Sequence, residues 1–196
     1  MGEELLDAAY RGNVEEVKAL LTKGVDVNYQ SRIDGPTALS NAISGLEGVR
    51  EEKLKVMRLL LEHGADANKF CYSGSGIHSP IMSTFDIEKI KLLVEYGADV
   101  NLSEEDRGTP LMYHCHGALS FVEASQGTDL AIERMKILLE AGADPTLKNK
   151  DGETVLNRVQ RWRNRGTNDW HNAAEKAEAL LKKYNKRSKW WSKWWS

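Results

Sequence analysis

The sequence predicts an all-α protein of about five stacked helix-turn-helix units joined by hairpin-like connections. Three observations carry this. One ending follows an apolar helical run four times, a helix-opening signal recurs after each ending, and the two ends of the chain carry abbreviated forms of the same unit.

The endings are Gly24-Val25-Asp26-Val27-Asn28, Gly64-Ala65-Asp66-Ala67-Asn68, Gly97-Ala98-Asp99-Val100-Asn101 and Gly142-Ala143-Asp144-Pro145-Thr146. They follow the runs Val17–Leu21, Val56–Leu61, Ile90–Val94 and Met135–Leu139. Apolar residues three and four apart give each run one buried stripe. The glycine reads as a helix stop, because it enters the left-handed conformation without the penalty a Cβ brings. The Asp and Asn that follow suit a turn, since their side chains bond nearby backbone. The openings are Thr37-Ala38-Leu39, Ser79-Pro80-Ile81, Thr109-Pro110-Leu111 and Thr154-Val155-Leu156. A Ser or Thr oxygen accepts from an orphan N–H of the first turn, and Pro fits the first helical position.

This pattern resembles the ankyrin repeat, with a period of about 33 residues and a Thr-Pro-Leu-His opening. The resemblance covers roughly residues 3–184. It implies one array, 1–184, with repeats near 3–34, 35–76, 77–107, 108–152 and 153–184, the first and last acting as caps. Residues 185–196 form a separate basic, Trp-rich tail. The stop glycines lie 40, 33 and 45 residues apart. Repeats two and four therefore carry extra residues between their helices, around 45–52 and 117–129, and repeat three is clipped at the same place.

Composition fits a soluble chain: 41% hydrophobic and 29% charged. Two cysteines, no secretory leader and no run long enough to span a bilayer favour a reducing, cytoplasmic location. The net charge of −2 conceals an asymmetry: Lys182, Lys183, Lys186, Arg187, Lys189 and Lys193 crowd residues 182–196, which hold no acid. The rest is acidic, which disfavours nucleic acid.

The search for chemistry yields no catalytic residue and no cofactor. Ser73-Gly74-Ser75-Gly76 lacks the Lys of a phosphate loop and reads as a flexible connection. His114-Cys115-His116 is the one metal-like cluster, but helical residues two apart point away from each other, and tetrahedral zinc needs two further ligands. His114 and Cys115 are expected at the two packed positions where ankyrin repeats place small residues, with His116 outward.

The resemblance implies a protein-interaction module, an adaptor, scaffold or inhibitor, monomeric by itself. It binds a protein partner through hairpin tips and the inner-helix face. The positions that match are Tyr29, Arg32 and Asp34 on the first connection, Phe70 and Tyr72 on the second, Glu105 and Asp106 on the third, and Lys148 and Lys150 on the fourth. On the inner helices they are His116, Arg161 and Trp162. Aromatic and Arg side chains supply large contact area at interfaces. The alternative readings are a membrane-recruited module, with weak membrane contact through residues 189–196, and a metal-binding or enzymatic protein centred on His114, Cys115 and His116.

Overall fold

The computed structural model describes the backbone of residues 1–31, 35–44, 49–73, 76–105, 107–116, 124–164 and 168–191. Contacts divide the chain into two compact units, residues 1–99 and 100–196.

In the first unit, helix α1 (Gly2–Arg11) pairs with α2 (Val14–Thr22), and α3 (Ala38–Ser44) with α4 (Arg50–Glu62). Helix α1 packs on α3 and α2 on α4, so each hairpin buries its apolar side against the next. Leu5, Ala8, Ala9, Val17, Leu39, Ala42, Val56, Met57 and Leu60 fill that junction and are buried. A short antiparallel ribbon follows, β1 (Cys71–Ser73) with β2 (Gly76–His78), in the register Cys71 to His78. It is the hairpin-like connection in its most regular form. The clipped third repeat keeps only a 3-10 turn, Pro80–Met82, where a first helix is expected, before α5 (Ile87–Glu95). Ile81 and Met82 still reach the core beside Ile90 and Leu93.

In the second unit, α6 (Pro110–His116) packs on α7 (Ala124–Glu140) and α8 (Val155–Arg163), and α9 (Asn168–Trp191) on α7 and α8. The extra residues of the fourth repeat include 117–123, outside the described residues, and the first turns of α7, which reaches 17 residues. Helix α9 continues through residue 185, where the tail is expected to begin, to Trp191.

The stop glycines and three of the four openings act as expected: Thr37, Thr109 and Thr154 accept from the N–H three residues on, whereas Ser79 makes no side-chain cap bond to the turn Pro80–Met82. Gly24, Gly64, Gly97 and Gly142 have φ between 79° and 96°. At the start of α3, Thr37 Oγ1 accepts from Ser40 N–H at 3.1 Å and Ser40 Oγ accepts from Thr37 N–H at 2.9 Å. This reciprocal pair satisfies donors that the helix leaves orphaned.

Two lysines complete the opposite end of α3. Lys53 Nζ donates to Asn41 O at 3.1 Å, and Lys89 Nζ donates to Ile43 O at 2.7 Å. The last carbonyls of a helix carry partial negative charge and lack intrahelical donors, so a cation there is favoured. In the second unit Arg158 Nη1 donates to Met112 O of α6 at 3.2 Å.

Candidate functional site

The loops that follow the stop glycines are held by a repeated carboxamide link. In the first unit Asn28 Nδ2 donates to Gly64 O at 2.9 Å, while Asp66 N–H donates to Asn28 Oδ1 at 2.8 Å. Asn68 does the same toward Gly97 O and Asp99 N–H, at 3.1 and 2.7 Å. In the second unit Asn101 bridges Gly142 O and Asp144 N–H, at 3.1 and 2.7 Å. Three of the turns are also closed by their own aspartate: Asp26, Asp66 and Asp144 accept from the N–H two residues on. A carboxamide donates to a carbonyl through its nitrogen and accepts from an N–H through its oxygen, which an ionised carboxylate cannot do, so Asn suits these positions. The loops thereby hold a defined spacing.

The proposed contact residues sit on this frame unequally. Tyr29 is half-buried: its ring lies over Gly2, and its hydroxyl donates to Glu3 Oε1 at 3.0 Å. That bond raises its pKa, because the neighbouring carboxylate opposes a phenolate. Tyr29 therefore fastens the first connection to the start of α1. Phe70 is half-buried, and its carbonyl accepts from Gln30 Nε2 at 3.3 Å, joining two connections. Glu105, Lys148 and Lys150 are exposed. Arg161 is exposed and ion-paired with Glu153. Arg32, Asp34 and Asp106 lie outside the described residues, as do the side chains of Tyr72, His116 and Trp162.

On the ends of the inner elements in the first unit, Tyr10 and Phe85 are 41% and 42% exposed, and Ser44 is exposed. In the second unit Leu156, near the start of α8, is 38% exposed. Beside Phe85, Asp86 caps α5 and pairs with Arg50 at 2.6 Å. The Asp86 carboxyl sits below its ordinary pKa: burial opposes this, and the Arg50 bond with the backbone N–H donors outweighs it.

The suspected metal cluster has a packing role where it is described. His114 and Cys115 are fully buried in α6, as the repeat pattern implies. Burial pushes the Cys115 thiol up to about 12, the opposite of what a nucleophile or metal ligand requires. Cys71 and His78 do approach each other, but as a strand pair, with Cys71 Sγ donating to His78 O at 3.8 Å. Among the described residues no group of three or more His, Cys, Asp or Glu side chains could hold a metal. No described helix is long and apolar enough to cross a membrane.

Sequence reasoning missed Lys53. It is 1% exposed, its amine lies 5.1 Å from the Tyr10 ring centroid, and its pKa falls to about 8. Burial is the main cause and the nearby Lys89 the second. The only available signal was its place three residues before Val56 on an apolar stripe.

A family model of ankyrin repeats matches residues 5–103 in three copies. The mouse (Mus musculus) B-cell lymphoma 3 protein homolog is 32% identical over 105 residues, which is 54% of this chain and 22% of that protein. The chain thus spans about a fifth of that relative's length. Ankyrin repeats are, as a family, protein-interaction modules and not typically enzymes. Helix-opening threonines, left-handed stop glycines and packed hairpins coincide with a family match over half of the sequence, and the chain belongs to the ankyrin-repeat family.

Proposed function

We propose that this chain is an adaptor, scaffold or inhibitor that binds a partner protein through the tips of its connections and the exposed residues of its inner elements. The observation that carries this reading is the contrast between frame and tips. Asn28, Asn68 and Asn101 hold the loops in register, while Glu105, Lys148 and Lys150 extend into solvent and Tyr10, Phe85 and Leu156 expose apolar area. Preorganised loops lose little entropy when a partner docks, so more of the contact energy appears as affinity. In the second unit the exposed Glu105 precedes the lysine-bearing connection at 148–150, which suits a partner surface of mixed charge. Arg32, Asp34 and Tyr72 in the first unit, and Asp106, His116 and Trp162 in the second, are proposed contact residues by their place in the repeats. Tyr29 and Phe70 contribute mainly by bracing their connections. The chain is proposed to act as a monomer in the cytoplasm.

The test is affinity capture from native lysate with three forms of the chain. A Phe85→Ala/Glu105→Ala/Lys148→Ala/Lys150→Ala variant should recover the specific partner at least tenfold less well than wild type. A control changed on exposed outer-helix positions, Lys18→Ala/Lys55→Ala, should match wild type. Equal recovery by all three would remove the proposed surface.

A further inference from the structure

Helix α9 carries two chemically distinct faces. Among its described side chains Ala173, Ala174, Ala177, Leu181 and Tyr184 are buried, a stripe directed at α7 and α8. Tyr184 is the last of them, and its hydroxyl donates to Glu140 Oε1 of α7 at 3.4 Å. The helical backbone then continues to Trp191. Glu178 is the last acid in the sequence.

At about 100° per residue, positions 182, 183, 186, 187 and 189 fall within an arc of roughly 160° centred opposite the packed stripe. Those positions are Lys182, Lys183, Lys186, Arg187 and Lys189. Lys182 and Lys183 are exposed, and Lys182 Nζ lies 4.0 Å from Glu178 Oε2. Position 190, a tryptophan, falls inside the same arc, and position 191 falls back in line with the packed stripe. The arc thus lies opposite the stripe by which α9 packs on α7 and α8.

We propose that this face of α9 is a docking surface for an anionic lipid bilayer, a property separate from partner binding through the connections. Lysine and arginine are drawn to a negatively charged leaflet, and tryptophan settles at the level of the headgroups, where its ring is apolar and its N–H remains hydrated. A row of cations alone would fit any polyanion. Tryptophan within the row favours the lipid interface, because it gives the helix an apolar element that can enter below the phosphates. Among the described residues no helix is long and apolar enough to cross a bilayer, and the proposed contact is peripheral and reversible. Lys193, Trp194 and Trp195 extend the same composition beyond the described residues.

The test uses the full chain and sucrose-loaded vesicles, either phosphatidylcholine alone or phosphatidylcholine with about one-third phosphatidylserine. Three forms are compared: wild type, a charge variant (Lys182→Gln, Lys183→Gln, Lys186→Gln, Arg187→Gln, Lys189→Gln), and a tryptophan variant (Trp190→Ala, Trp191→Ala, Trp194→Ala, Trp195→Ala). None of these positions is among the buried residues named above, and unchanged thermal unfolding confirms that each variant folds. Wild type should sediment with the anionic vesicles and not the neutral ones. Its tryptophan emission should shift to the blue, since four of the six tryptophans lie in this segment. Each variant should bind the anionic vesicles at least fivefold more weakly, and salt well above 0.1 M, where the Debye length falls below about 10 Å, should release wild type. Absence of wild-type sedimentation on anionic vesicles overturns the proposal. So does a tryptophan variant that binds as wild type does, which would assign the cationic arc to an acidic polymer or protein.

Discussion

Lys53 shows what a buried cation does when its partner is a helix end and not a carboxylate. Its amine donates to Asn41 O, one of the carbonyls at the open end of α3, and it stands beside the Tyr10 ring with Lys89 nearby. Neither contact restores what water supplied, so its pKa drops to about 8 from 10.5. The folded state then holds this proton less tightly than the unfolded chain. Between about pH 8 and pH 10.4 the unfolded chain binds more protons at this site, and stability rises with pH across that window. Below pH 8 both states are protonated and the full cost of the buried charge is present, roughly 3 kcal/mol from the pKa difference. Lys53→Met, similar in length and uncharged, should flatten that rise. Urea unfolding of wild type and variant at pH 7, 8, 9 and 10 checks it, and parallel curves would show that Lys53 is not the source. Cys115 works in the opposite direction, since its raised thiol pKa makes stability fall as the unfolded thiol ionises, and so the difference between the two proteins is the informative quantity. A sequence reading places lysine on surfaces, and position 53 alone gave little reason to do otherwise. Its burial depends on the junction among α1, α3 and α4.

Helix boundaries were the most legible part of the chain, because each is a local event. Glycine with positive φ, a Ser or Thr oxygen on an orphan N–H and an aspartate closing its own turn involve residues within five positions of one another. Helix lengths were less legible. The short third repeat was visible in the spacing from Ser79 to Gly97, but not that its first helix would contract to the turn Pro80–Met82. That outcome depends on how Ile81 and Met82 reach the core from one turn. The start of α3 offers a test of the local rule. Thr37 is buried, and its hydroxyl is the acceptor for Ser40 N–H. Thr37→Ala should lower stability by about 1 to 2 kcal/mol. Thr37→Ser, which keeps the oxygen, should recover most of it. Thermal or urea unfolding reads both, and equal losses in the two variants would place the cost in the lost methyl group instead of the cap.

Taken together, the helical pairs give each unit its own continuous core, and each core contains one thiol: Cys71 in residues 1–99 and Cys115 in residues 100–196. Both are fully buried, and Cys115 is also resistant to ionisation. In the native protein neither should react with an aromatic disulfide reagent at pH 7.5, and both should react in denaturing urea. At intermediate urea, mass spectrometry of the labelled peptides should report separately how readily the surroundings of each cysteine open; rapid labelling without denaturant would contradict this packing. The candidate site was less legible than the fold. Tyr29 bonds to Glu3, 26 positions away, and Gln30 reaches Phe70, 40 positions away, and no local pattern announces either. The carboxamide links have a wider consequence. Asn68 spans a shortened segment to Gly97, Asn101 a lengthened one to Gly142, and the two bonds are the same in both. Registration is thus decoupled from the amount of chain between anchor points. Such a scaffold can gain or lose whole helical turns without misaligning the neighbouring rung, which makes the intervening segments natural places to graft new recognition elements.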